Sequence, residues 1–193
     1  SSGGTDIGFV LTILENGEIG FSYQTSSINI ISIVTDQIIS EGEFFYIAAT
    51  WDGTFSDSGI NLYVNGQEVN TYSNFIGSIN DYVESMHPME IGRVLNLDGY
   101  VAHFDGIIDH VQIWDRVLSL DEILYYVYGF SNYGIGDEAL AGFWDFDDPP
   151  DSELIDLSGN ENHGDIHGAT WTNEAPQVGC SDPEATNYGG INT

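Results

Sequence analysis

The sequence predicts an all-β protein, an antiparallel β-sandwich of the jelly-roll type with one short helix. Apolar runs recur at spacings of roughly 8–12 residues, as in sandwich folds. Glycine and asparagine turns separate them, and a single stretch, "SLDEILYYVYG", has helical periodicity.

The strands follow from alternation and punctuation. "FVLTIL" and "IGFSYQ" flank "ENGE", so an Asn16-Gly17 turn joins a hairpin. "INIISIV" is the next strand, ended by the polar break "TDQIISEGE". "FFYIAATW" follows, closed by Asp52-Gly53, and "INLYVNGQEVNTY" is a second hairpin around Asn65-Gly66. After an irregular stretch from Ser73 to Met86 come the short run "MEIGRV" and the strand "FDGIIDHVQIW". Strand alternation in the latter puts Ile107, Asp109, Val111 and Ile113 opposite Ile108, His110, Gln112 and Trp114.

In the helix, Ser119 followed by Glu122 is a capping box, and Leu120, Ile123, Leu124 and Val127 share one face. Gly129 is a natural C-cap. After the nine-residue connector "SNYGIGDEA" the chain resumes a strand pattern at 140–171, and from Asn173 it reads as linker or tail.

Composition narrows the partners. The chain has 193 residues, no lysine, two arginines and 31 acidic residues, for a formal charge of −29. Nucleic acid and anionic lipid both need a cationic surface, so neither is an expected partner. No apolar run approaches the ~20 residues that span a bilayer, so no membrane insertion is expected. Cations and neutral ligands such as sugars remain, beside the alternative that the charge is a solvated coat. Cys180 is the one cysteine and forms no internal disulfide. The chain opens on "SSGGTDIG" with no leader, so any preceding segment is expected to have been removed.

"FDGIIDHVQIWDRVLSLDEI", residues 104–123, resembles the end of a laminin-G-like domain of the concanavalin A-like lectin/glucanase superfamily. "FFYIAATWDG", "INLYVNGQEV" and "MEIGR" are similar to earlier strands of that family, in the right order over residues 9–125. "LAGFWDFDD" and "DLSGNENHGDIHGATW" resemble the start of the same domain type, although they come last. A leading strand region of the family has no counterpart here. The resemblance therefore implies a sandwich over 1–130 lacking its leading strands, a connector at 131–139, a first-strand and loop segment at 140–172, and a tail at 173–193. That segment could open a second domain, complete the first in cis, or complete a neighbouring copy by strand exchange. The length of the connector favours the cis arrangement. The tail "GCSDPEATNYGG" is similar to repeats of large secreted proteins of marine bacteria, which implies a secreted or cell-surface setting.

The resemblance also implies a structural calcium ion where first and last strands meet. It maps onto Asp109 with Asp147, Asp148 and Asp156, in a loop rich in the oxygen donors that Ca²⁺ takes. Asp109 stands out by itself, because its strand parity points a carboxylate at an apolar face. The alternative is an aspartate tied to loop backbone or to Arg116.

For a carbohydrate or cell-surface glycoconjugate, Tyr82, Tyr100 and His103 are the candidate contacts in exposed loops. Trp51, Trp114, Trp144 and Trp171 match framework positions and are expected to pack. His163 and His167 are four apart, but glycines argue against a shared helix and a zinc site. The paired acids of a retaining glucanase, Glu-x-Asp-x-x-Glu on one strand, are missing, the nearest segment being "DSELID". The expected protein is a binding or adhesion module without catalysis. Its rivals are a structural spacer, a self-assembling unit and a degenerate hydrolase domain.

Overall fold

The computed structural model describes residues 8–26, 29–73, 79, 88–95, 101–128, 134–147, 153–172 and 174. It is built of antiparallel strands with one short helix, and the chain divides into two compact units, Ser1–Asp105 and Gly106–Thr193.

In the first unit, β1 (Gly8–Ile13), β2 (Glu18–Ser26) and β3 (Asn29–Ile38) form a meander. β4 (Ile47–Trp51), β5 (Ile60–Val64) and β6 (Gln67–Glu68) form a second sheet in that order. β7 (Thr71–Ser73) then joins the first sheet beside β3, and β8 (Arg93–Leu95) pairs with β9 (Val101–His103). Buried Ile19, Phe21, Tyr23, Ile31 and Ile33 of the first sheet meet Ile60, Leu62 and Val64 of the second in one core. That is sandwich packing, with alternate residues of each strand facing inward.

The two predicted hairpins form, by different turns. Asn65 (φ 51°) and Gly66 (φ 76°) are both left-handed, the two-residue turn whose twist suits a hairpin. Asn65 also braces β4, its N–H donating to Tyr46 O at 2.8 Å and its Oδ1 accepting from Tyr46 N at 2.9 Å. At Asn16-Gly17 only Gly17 is left-handed (φ 85°), and Leu14 N donates to Glu18 O at 2.8 Å across a three-residue loop.

The polar break expected after Val34 is instead strand, because β3 continues to Ile38. Pairing shifts there, from Gly20↔Val34 to Glu18↔Ile38. Thr35 fills the gap: fully buried, it accepts from Ile19 N at 3.0 Å and donates to Gln37 O at 2.8 Å through Oγ1. A hydroxyl thus replaces the ladder bond that the bulge removes.

The second unit holds β10 (Val111–Trp114), α1 (Leu120–Val127), β11 (Leu140–Trp144), β12 (Glu153–Leu154) and β13 (Gly164–Asp165). β11 pairs antiparallel with β10 of the same chain, and β12 pairs with β13. The capping box is complete, with Glu122 N donating to Ser119 Oγ and Ser119 N to Glu122 Oε2. The buried helix face differs from the predicted one. Ile123 and Tyr126 are buried while Leu120 is 47% exposed, because Tyr126 packs on Trp114 and His110. Gly129 lies outside the described residues.

Candidate functional site

The site is built where β10 and β11 end. Their last rung is Val111↔Trp144, so His110 and Asp145 are the next residues on either side. Both strands then leave the ladder through a left-handed residue that is not glycine, His110 (φ 54°) and Phe146 (φ 58°). Such residues are uncommon outside turns and sites, and surrounding structure must hold them. The His110 ring packs on Phe143 and Tyr126, at centroid distances of 4.8 and 6.1 Å. Phe146 is fixed by Trp171, whose Nε1 donates to Phe146 O at 2.9 Å.

These two turns bring Asp109 under the influence of Asp147 and Asp145. Burial pushes the Asp109 carboxyl above its ordinary value, the Asp147 and Asp145 charges push it further, and a hydrogen bond from His110 N–H offsets part of this. Burial lowers His110 in turn, against the pull of the same two carboxylates. The strand parity expected for Asp109 does not hold, since the ladder starts at Val111 and His110 breaks the alternation. Asp109 is half-buried just outside the ladder, one residue before the left-handed His110. Asp145 is the residue missing from the sequence-derived ligand set. A Trp-Asp-Phe-Asp run leaving a strand was its available signal.

Asp156 has a separate role within this unit. It is 5% exposed, and its Oδ1 accepts from Phe143 N and Ser158 N, each at 2.9 Å. Its Oδ2 accepts from Ser158 Oγ at 2.8 Å and Asn162 N at 3.0 Å. Burial alone would raise its pKa, but these bonds outweigh burial and hold it below the ordinary carboxylate value. The carboxylate therefore ties the loop after β12 to β11. His163 belongs to the same knot, its Nδ1 accepting from Asp156 N at 3.0 Å.

Arg116 is engaged away from Asp109. It donates to Glu122 at 2.7 Å and Asp137 at 3.0 Å, and its guanidinium lies 4.9 Å above the Trp114 ring. Among the described residues no group of three or more His, Cys, Asp or Glu is arranged to hold a metal ion. Asp148, Tyr82 and Tyr100 lie outside the described residues. His103 is described, exposed on β9 in the first unit.

The four tryptophans pack. Trp51 stacks on Tyr23 at 4.7 Å, Trp114 meets Tyr126, Trp144 is 5% exposed, and Trp171 lies against Phe146.

Residues 1–124 match the Laminin_G_3 family, described as the concanavalin A-like lectin/glucanases superfamily. The chain belongs to the concanavalin A-like lectin/glucanases superfamily. No curated protein and no solved structure matches the chain. Superfamily membership accounts for the sandwich of the first unit and supports a carbohydrate-binding type of module in general. In this concanavalin A-like chain the match includes His103 and Asp109, whereas Asp145, Asp147 and Asp156 lie beyond its end.

Proposed function

We propose that the chain is a non-catalytic carbohydrate-binding or adhesion module of a secreted multidomain protein, with calcium steadying the Asp109 loop. The match over residues 1–124 carries the reading. The charge of −29 limits the ligand to neutral glycans or cations, since polyanions are repelled. Asp109, Asp147 and Asp145 are hard oxygen donors of the kind calcium takes, and burial with the charges of Asp147 and Asp145 disfavours the Asp109 anion, an imbalance that a divalent cation would remove. The described acids do not by themselves form a three-carboxylate site, so Asp109 and Asp147 would hold the ion together with backbone carbonyls, and Asp156 would brace the loop.

A glycan array probed with the calcium-loaded chain is the test. Binding to a defined glycan set supports the reading, and silence across plant, algal and host glycans rejects it.

A second reading, assembly with neighbouring copies, is favoured by one feature. β1 ends its sheet among the described residues, and Phe9 and Leu11 remain 49% and 46% exposed although they continue the core side of β2. Sedimentation velocity over a hundredfold concentration range decides it, with a constant monomer ruling assembly out.

A further inference from the structure

We propose that Asn16 is a site of deamidation in the folded chain, and that Asn65, which also precedes a glycine, is protected by the fold. Asn16-Gly17 joins β1 to β2 and Asn65-Gly66 joins β5 to β6. Glycine is the following residue that hinders the reaction least, since it puts no Cβ beside the attacking nitrogen. The dipeptide alone therefore does not separate the two pairs. Exposure does not separate them either, because both asparagines are exposed. They differ in where each side-chain carbonyl is held.

At Asn16 the carbonyl is held over its own downstream backbone. Asn16 Oδ1 accepts from Glu18 N at 3.1 Å. The ring of atoms that this bond closes contains Gly17 N, so Cγ is kept near the nitrogen that must reach it. The Glu18 N–H also points at the oxygen on which negative charge develops during attack, as an oxyanion donor does. Gly17 N donates to Leu14 O at 2.8 Å, so loss of its proton requires a brief opening of this exposed turn.

At Asn65 the carbonyl is turned to another strand. Its Oδ1 accepts from Tyr46 N at 2.9 Å, and Asn65 N donates to Tyr46 O at 2.8 Å. The side chain is thereby pinned beside the start of β4, and Gly66, whose nitrogen would attack, is buried. Reaction here must first break the bond to Tyr46.

The chemistry needs only water. Gly17 N gives its proton to solvent and attacks Asn16 Cγ. The N–Cγ bond forms, the Cγ–Nδ2 bond breaks, and the amide nitrogen leaves as ammonia with a proton from solvent. Water then opens the cyclic imide at either carbonyl, giving aspartate or isoaspartate. Either product adds a negative charge between Glu15 and Glu18. Isoaspartate also lengthens the main chain of the loop by a methylene. That strains the Leu14 N–Glu18 O bond closing the hairpin and the bond from Ile39 N to Gly17 O at 3.0 Å.

The test incubates the full chain at mildly alkaline pH in heavy-oxygen water, folded and in parallel in urea. Peptic peptide mapping by mass spectrometry, with an isoaspartate assay, follows both sites over time. In the folded chain Asn16 should convert at least about tenfold faster than Asn65, since small misplacements of reacting atoms are costly. In urea the two should convert at similar rates. Asn16→Gln should remove the fast conversion and leave Asn65 unchanged, with thermal unfolding as the check on its fold. Equal rates in the folded chain, or faster conversion of Asn65, overturn the assignment. Conversion of neither site in the folded chain while both convert in urea overturns it too. The same preference for Asn16 in urea would trace the difference to flanking sequence and overturn the protection by the fold.

Discussion

Asp109 and Asp156 are both aspartates of one unit, and their surroundings push them in opposite directions. Asp109 is destabilised as an anion by burial and by Asp147 and Asp145. Its folded pKa lies above the unfolded value, so the native state holds the extra proton just above pH 3.8, and stability falls as pH rises through that window. Asp109→Asn should therefore raise the unfolding temperature of calcium-free protein at neutral pH, while abolishing any rise that added calcium gives the wild type. Differential scanning calorimetry with calcium and with chelator measures both effects. Asp156 has the reverse sign. Its folded pKa is depressed, so its contribution is present above the ordinary carboxylate range and is lost as pH falls through the folded value. Asp156→Ala leaves the amides of Phe143, Ser158 and Asn162 without their acceptor, and urea unfolding should show a loss of about 3 kcal/mol.

Elements succeed or fail on similarly local terms. β3 passes through its bulge because Thr35 supplies a hydroxyl to Ile19 N. Thr35→Val keeps the shape and removes that acceptor, leaving a buried N–H unpaired. A cost of about 1–3 kcal/mol is expected in equilibrium unfolding. The helix depends on its start, where Ser119 and Glu122 cap it and Arg116 draws Glu122 toward Asp137. The Arg116 hydrogen bond and the Ser119 backbone hold Glu122 at about 2, well below its ordinary 4.5. Its contribution is thus complete above pH 4.5 and fades toward about 2. Ser119→Ala should cost about 1 kcal/mol, read from the same unfolding curves. The capping box was legible because its spacing is short and local. The buried helix face was not, because whether Leu120 or Tyr126 turns inward depends on Trp114 and His110 from a neighbouring strand.

For the molecule as a whole, the segment that resembles a domain's beginning is hydrogen-bonded to β10, which precedes it in the chain. Removing residues 140–193 would take away β11 with buried Leu140, Phe143 and Trp144. Amide exchange of Val111–Trp114 should then lose at least about a hundredfold of protection, and unchanged protection would show that β10 stands without its partner. The sequence by itself determined the antiparallel β class, the hairpins, the capped helix and, through motif resemblance, the superfamily. The class, the hairpins and the helix follow from period and turn chemistry, which act over a few residues. Tertiary structure alone decided which acids meet Asp109, that Asp156 is an anchor for amides, and that Asn65 is held on Tyr46. Each depends on strand register or on a left-handed residue such as His110 or Phe146, fixed by packing between segments remote in sequence.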